Sequence, residues 1–309
     1  MWPGFSLSGS NLNPCGGHDM TPTPSSADHK IAFESYWKPV DDEAAALTNG
    51  RVDLEEIKIR SNESSTVYGC RFTGIGGYPL FAYYSVPKGK GPFPGLLETP
   101  GYGSVRGVPA VERRAMYAVM AVCHRGQRLS DSAYKAAYPG LLTEGLPGAG
   151  SYRWREIVAD CLRAFDVMLT RPEVDRARTG IAGNDLAAIC AALRPKTRAL
   201  LLNGQFLFRD TARRIDAVSD YPLQEFNDFK RTHPSQWPQA TETLALYDPV
   251  SFAPRIKAET LIACLKSDGG PAAPLASAIK GKCEVRVNTG YGYLDHEEQE
   301  RWLRERLGG

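Results

Sequence analysis

Short apolar segments alternate with segments of helical period along most of this chain, and that alternation limits the folds it can adopt. Apolar runs that end at Gly or polar residues predict buried strands at residues 95–98, 115–123, 179–182, 199–202, 260–265 and 283–287. Apolar residues at helical spacing predict helices at residues 31–47, 152–170, 187–193 and 297–307. Strands alternating with helices in this way predict an α/β fold, with a mainly parallel central sheet covered by helices on both faces.

Length and composition are those of a globular protein with a large core. The chain has 309 residues, of which 42% are apolar, and its net charge is +2 without a long basic run. A surface potential of a single sign, which is typical of proteins that bind nucleic acids or membranes, is therefore not expected. No apolar stretch approaches the roughly 20 residues of a membrane helix.

The chain is predicted to form one domain with two irregular parts. Residues 1–28 are rich in Gly, Ser, Pro and Asn and are expected to form a flexible arm, without the basic and apolar segments of a signal peptide. Residues 29–309 are expected to form a single α/β domain. Within it, the polar, aromatic and Pro-rich residues 208–254 interrupt the alternation and predict a helical insertion or lid.

The cysteines predict free thiols in a reducing cytoplasm. Their number is seven, which is odd, and none has Cys-x-x-Cys spacing. Clustered Cys and His residues, which would form a zinc site, are missing from the sequence. We therefore expect no metal, and no feature of the sequence indicates an organic cofactor.

The segment Gly183-Asn184-Asp185-Leu186-Ala187 lies between a predicted strand and a predicted helix. This is the arrangement of the nucleophile elbow, normally Gly-x-Ser-x-Gly, in which small residues allow the helix to start directly after the strand. The residue at the tip is often held in a left-handed conformation, which Asp tolerates better than most residues. Here Asp185 occupies the position of the serine.

Longer motifs strengthen this interpretation. The segments are FESYW, Gly101-Tyr102-Gly103, His124-Arg125-Gly126-Gln127, YRWREIVADCLRAFDVMLTRPEVD, YPLQEFNDFKRTHP and TLALYDPVSFAPRIK. From about Ile31 to the C-terminus the chain resembles the acetyl xylan esterases and cephalosporin C deacetylases, a carbohydrate esterase family of the α/β-hydrolase fold. The resemblance implies a small-molecule substrate and a closed homo-oligomer.

At some functional positions of the family this chain holds a suitable residue, and at others it holds a different one. It places the catalytic acid at Asp268 and the two backbone donors of the oxyanion hole at Tyr102 and Leu186. The nucleophile position holds Asp185, and the position of the catalytic histidine holds Tyr291. A conventional Ser-His relay is therefore not expected.

Two histidines are candidates to replace the missing imidazole. His296 lies five residues after Tyr291, where the last helix should begin, and is either an exposed helix residue or moved inward by a loop rearrangement. His124 ends a predicted core strand, where α/β pockets open, and is alternatively a structural residue beside Arg125.

Three functions remain open from the sequence. The first is an enzyme that acts on a small acylated or carbohydrate-like molecule by non-serine chemistry, such as Asp-based hydrolysis, elimination or proton abstraction, with Asp185 working with Asp268, Tyr291 or His124. The second is an inactive pseudo-hydrolase that serves as a binding or assembly module. The third is a residual ester deacetylase that uses His296 or His124.

Overall fold

A computed structural model describes residues 26–47, 50–204, 206–217, 220–266, 269–288 and 296–308. Within these residues, nine strands form one sheet in the order β1-β2-β3-β5-β4-β6-β7-β8-β9. The strands are β1 (Val52–Glu56), β2 (Ser65–Thr73), β3 (Pro79–Pro87), β4 (Phe93–Glu98), β5 (Ala118–Cys123), β6 (Val174–Gly183), β7 (Ala199–Asn203), β8 (Glu259–Leu265) and β9 (Cys283–Asn288). The pairs β1–β2, β2–β3 and β3–β5 are antiparallel. The remaining pairs, β5–β4, β4–β6, β6–β7, β7–β8 and β8–β9, are parallel.

Helices connect the parallel strands and cover both faces of the sheet. They are α1 (Ser26–Ala46), α2 (Val111–Arg114), α3 (Trp154–Thr170), α4 (Asp185–Leu193), α5 (Thr211–Arg214), α6 (Gln224–Thr232), α7 (Trp237–Ala245), α8 (Pro249–Phe252), α9 (Gly269–Ala278) and α10 (His296–Leu307). The short helices α5 to α8 lie between β7 and β8, where the sequence predicts a helical insertion. The mainly parallel sheet with helices on both faces is confirmed.

Adjacent residues of each central strand enter different cores because successive side chains of a strand point to opposite faces. In β7, Leu200 and Leu202 pack in the large core with α1, α3 and α4, whereas Leu201 packs with α10. In β6, Ile181 belongs to the large core and Ala182 to the α10 core. The two faces of the sheet therefore hold separate groups of side chains.

Several elements differ from the sequence expectations in their limits. Helix α1 starts at Ser26, so residues 26–28 of the predicted arm belong to this helix, and the rest of the arm lies outside the described residues. The predicted strand at residues 115–123 begins only at Ala118, because residues 111–114 form the single turn α2. Strand β1 and helix α9 were not predicted, since β1 is an edge strand with acidic residues and α9 contains Gly and Pro.

None of the described helices is long and apolar enough to cross a membrane. The described cysteines, at positions 70, 123, 161, 190, 264 and 283, form no disulfide with one another, and all except Cys283 are buried.

A buried ion pair joins the end of β5 to α3. The carboxylate of Asp160, which is fully buried, accepts hydrogen bonds from Nε and the backbone N–H of Arg125 at 2.9 Å and from Nη2 at 2.8 Å. The Arg125 guanidinium also pairs with Glu156 at 2.9 Å and stacks over the ring of Tyr78. This pair fixes the first residue of the Arg-Gly-Gln motif beneath the carboxyl edge of the sheet.

Asp160→Asn should lower the free energy of unfolding by about 3 kcal/mol, because it leaves a buried guanidinium without its main counter-charge. Asp42→Asn is the matched control, since Asp42 pairs with Lys38 on the surface and exposed pairs contribute little. Urea denaturation of both variants would measure the difference. Equal stability of the two variants would contradict the importance of the buried pair.

Candidate functional site

The turn between β6 and α4 depends on a close contact at Gly183. Its φ is 153°, and a Cβ atom at this position would lie 2.0 Å from Oγ1 of Thr99 and 3.3 Å from Cβ of Ala187. Asn184 follows with φ −115° and ψ −131°, and Asp185 begins α4. The described non-glycine residues with positive φ are Arg128 and Asp210. The expectation of a left-handed Asp185 is therefore wrong: the unusual conformation belongs to Gly183, because only glycine fits against Thr99.

Both oxygens of the Asp185 carboxylate accept hydrogen bonds from backbone N–H groups. Its Oδ2 accepts a hydrogen bond from the N–H of Leu207 at 2.9 Å, and its Oδ1 accepts one from the N–H of Phe208 at 3.3 Å. Asp185 is only 3% exposed. Both oxygens thus hold the loop that follows β7 against the start of α4.

Burial raises the pKa of Asp185 to about 7, although the two amide donors and the positive charge of Arg214 favour the ionised form. Desolvation disfavours the charged carboxylate more than these contacts stabilise it. Near neutral pH the group is therefore poised between its two protonation states.

The two predicted backbone donors lie on either side of this turn. Leu186 is the second residue of α4 and is buried, and its N–H is one of the donors that a helix start leaves without an intrahelical acceptor. The Gly101-Tyr102-Gly103 turn approaches from β4, since a Cβ atom on Gly101 would lie 3.8 Å from Nδ2 of Asn184.

Glu225 of α6 anchors Tyr102. The hydroxyl of Tyr102 donates to Oε1 of Glu225, whose Oε2 accepts from the N–H groups of Gly140 at 2.7 Å and Leu142 at 3.2 Å. Burial, and then Glu225, raise the pKa of Tyr102 well above its ordinary value. Glu225 thus links the helices between β7 and β8 to the Gly-Tyr-Gly turn. It stands in the segment YPLQEFNDFKRTHP, but a single glutamate in an otherwise polar helix gave no signal of this role.

His124 lies at the end of β5 and is 2% exposed. Its Nδ1 lies 2.7 Å from the carbonyl oxygen of Arg125, so Nδ1 carries the proton and donates. Burial lowers the pKa of His124 to about 4, and the imidazole is therefore neutral at pH 7.

His296 is exposed and is the first residue of α10. It lies on the rim of a cavity of about 780 Å³ between α2 and α10 at the carboxyl ends of β4, β6 and β7. Asp185 is not among the residues that line this cavity, whereas Ala182 and Asn203 are. His296 therefore lines a cavity that the Asp185 carboxylate does not line.

Asp268 and Tyr291 lie outside the described residues, so their proposed roles stay predictions. The described residues nearest to Asp268 are residue 266, directly after β8, and Gly269, the first residue of α9. Those nearest to Tyr291 are Asn288, the last residue of β9, and His296, the first residue of α10.

The α2–α10 cavity is lined by charged residues that were not site candidates in the sequence. Arg113 donates to Oε1 of Glu98 and to Oε1 of Glu300, both at 2.6 Å. Glu98 directly follows the apolar Leu96 and Leu97, and a charged residue at the carboxyl end of a buried strand was the available signal.

The sequence of this chain also matches a known protein family. The model of the acetyl xylan esterase (AXE1) family matches residues 23–306. The chain belongs to this family.

Individual relatives agree with that assignment. An acetyl xylan esterase of Paenibacillus sp. is similar in structure with a TM-score of 0.79 at 26% identity, covering 93% of this chain and 97% of that one. Acetyl Xylan Esterase 1 of Thermoanaerobacterium sp. has a TM-score of 0.77 at 24% identity, covering 89% and 92%, respectively. An acetyl esterase of Xylanibacter ruminicola is 26% identical over 242 residues, a match that covers 72% of this chain and 53% of that relative. The chain thus spans about half the length of that relative.

Gly183→Ala should lower the free energy of unfolding of this family member by about 3 kcal/mol, because the new Cβ overlaps Thr99 and the backbone conformation is strained. Gly150→Ala is the control, since a Cβ there meets no atom within 4 Å and φ is not positive. Thermal and urea denaturation would test the pair. A stable Gly183→Ala variant would show that the turn is looser than the structure indicates.

The stability of the protein should depend on pH through Asp185. A folded-state pKa of about 7, raised from 3.8, means that the folded protein binds the proton more tightly than the unfolded chain. This stabilisation is complete below the unfolded pKa and is lost as the pH rises through about 7.

Asp185→Asn removes this titration, so the stability of the wild type relative to the variant should fall by on the order of 3 kcal/mol from about pH 5 to about pH 8. Asn also places an NH₂ group against one of the two backbone donors, so we expect the variant to be less stable than the wild type at acid pH. Urea denaturation at both pH values would measure these differences. A constant difference between the two proteins would contradict the raised pKa of Asp185.

Proposed function

We propose that this acetyl xylan esterase family member binds a small acylated or carbohydrate-like ligand without the serine chemistry of a conventional esterase. The observation that carries the proposal is the state of Asp185, which occupies the nucleophile position. Both carboxylate oxygens accept backbone hydrogen bonds, and the residue is 3% exposed. A carboxylate that is buried and held against a loop in this way is not accessible for attack on an ester.

Ligand binding does not need the nucleophile. The N–H groups of Tyr102 and Leu186 belong to the backbone, so they survive any change of side chain at position 185 and can receive an acyl oxygen. Glu225 holds the Tyr102 side chain from α6, which supports the role of residues 208–254 as an insertion that shapes the site. In this proposal the protein is a pseudo-hydrolase, that is, a binding or assembly module with a degenerate triad.

The titration of Asp185 favours a second candidate, which is an enzyme with acid–base chemistry. A carboxyl group with a pKa of about 7 has the value expected of a general acid or base at neutral pH. This function requires the loop at Leu207 and Phe208 to release the carboxylate when substrate binds. Asp268, Tyr291 or His124 would then be its partner.

The histidines support neither a conventional deacetylase nor a simple replacement. His124 is neutral and buried, with Nδ1 bonded to Arg125, and His296 lies at the α2–α10 cavity. A residual deacetylase would need one of them to move next to a new nucleophile. From its family resemblance we propose that the protein is a homo-oligomer, and from its cysteine usage we propose a cytoplasmic location.

The purified protein should not be labelled by a fluorophosphonate probe and should not hydrolyse p-nitrophenyl acetate faster than its Asp185→Asn variant. Without a serine nucleophile, no covalent phosphonyl adduct can form at the elbow. Intact-protein mass spectrometry and initial rates measure the two outcomes.

Two results would contradict the proposal. Stoichiometric labelling of a serine would show that the protein is a serine esterase. A loss of about 100- to 10,000-fold in turnover for Asp185→Asn would instead establish the acid–base enzyme, since that is the usual contribution of such a group.

A further inference from the structure

The two edge strands of the sheet differ in charge. Strands β1 and β9 are the edges, since each pairs with only one other strand within the described part of the chain. β1 carries the exposed acids Asp53, Glu55 and Glu56. Like charges along an edge oppose pairing with a further strand, and natural sheets often protect their edges in this way. β9 instead carries one acid and one base, Glu284 and Arg286, so it lacks this protection.

The apolar side chains of β9 point to the face of the large core but are not fully covered there. Val285 lies beside Ile262 of β8, and Val287 lies beside Cys264. Ile262 and Cys264 are buried in the large core, whereas Val285 and Val287 are 41% and 47% exposed. Exposed β-branched residues on an edge strand are typical of a strand that pairs with another chain.

The charged side chains of β9 point to the opposite face, which α10 covers. Arg286 pairs with Glu284 at 3.0 Å, and Arg306 of α10 approaches Glu284 at 3.4 Å. The side chains of Glu284 and Arg286 remain 33% and 36% exposed. They are therefore accessible to charges on a strand that adds to this edge.

The order of these residues makes β9 complementary to itself. A two-fold axis perpendicular to the sheet pairs two β9 strands antiparallel and keeps equivalent faces on the same side. With the axis at Val285, Glu284 of each copy lies opposite Arg286 of the other. The same register sets Val285 opposite Val285, and Cys283 opposite Val287. An axis at Glu284 or at Arg286 would instead set two like charges opposite each other.

We propose that the outer edge of β9 is a homodimer interface, at which two copies pair antiparallel about Val285. The two nine-stranded sheets then become one continuous sheet, held by main-chain hydrogen bonds as in other cases of strand addition. A second copy of this chain fits the edge because its charges complement themselves in this register. The inference locates the interface of the homo-oligomer proposed above and rests on that proposal.

A charge-reversal pair tests the interface. Glu284→Arg and Arg286→Glu should each weaken self-association at least about tenfold, because each sets like charges opposite one another at two positions. An equimolar mixture of the two variants should regain the affinity of the wild type, since every contact between unlike copies is again a pair of opposite charges. Sedimentation velocity of the full chain over a range of concentrations measures all four samples.

A disulfide tests the register with a milder substitution. Cα atoms directly opposite in an antiparallel pair lie about 4.5–5.5 Å apart, which is within the range of a disulfide. Val285→Cys should therefore form a covalent dimer on oxidation with diamide, seen on a non-reducing gel. Val111→Cys on α2 is the control, since Val111 is similarly exposed, at 47%, but lies outside β9. The wild type is the second control.

The possible failures are distinguishable. A wild-type chain that stays monomeric at every concentration would overturn both this interface and the proposed homo-oligomer. An oligomer that neither charge variant weakens would overturn the β9 interface and leave the homo-oligomer standing. A mixture that does not regain affinity, or a Val285→Cys variant that cross-links no more than Val111→Cys, would overturn the register.

Discussion

The contact of the Asp185 carboxylate with the N–H groups of Leu207 and Phe208 determines how the centre of this molecule is built. It joins the start of α4 to the chain leaving β7, so two neighbouring strand ends become one rigid unit. The contact requires α4 to begin directly after β6. Gly183 makes this possible, because no side chain fits between it and Thr99.

A second carboxylate, that of Glu225, has a similar effect on the other side of the turn. It receives the Tyr102 hydroxyl and two backbone N–H groups, and thereby connects α6 to the Gly-Tyr-Gly turn and to the loop at residues 140–142. Asp160 repeats the pattern with Arg125 below the same edge of the sheet. In all three cases a buried carboxylate accepts hydrogen bonds from a loop, which offsets part of the cost of its lost hydration.

The sequence predicted the sheet well because its information is local. The apolar runs in β4, β6, β7 and β8 and the helical period of α3 can be read from short windows, and the family motifs ordered them. The environment of Asp185 was not predictable, because its partners are backbone groups 22 and 23 residues away. Residue type suggested a strained turn former or a nucleophile, and neither alternative included a carboxylate that binds a neighbouring loop.

The cavity lining was hidden for a related reason. Glu98, Arg113 and Glu300 come from distant parts of the chain, and 187 residues separate Arg113 from Glu300. Each alone is an ordinary charged residue at the end of a strand or on a helix. Only the packing of α10 against β6 and β7 brings them together.

The position of a side chain therefore decides its chemistry more than its identity does. An aspartate at an elbow can attack an ester only if its carboxylate is ionised and accessible to the substrate. Asp185 is buried, its pKa is about 7, and two amides occupy its oxygens. Any reaction must first separate the carboxylate from Leu207 and Phe208, which leaves two backbone donors unpaired unless the ligand supplies acceptors in exchange. An acyl ligand with two or more oxygens could do so, and ligand binding and release of the loop would then be a single coupled step. A ligand without such oxygens would leave the Asp185 contact intact, and the protein would bind it without turnover.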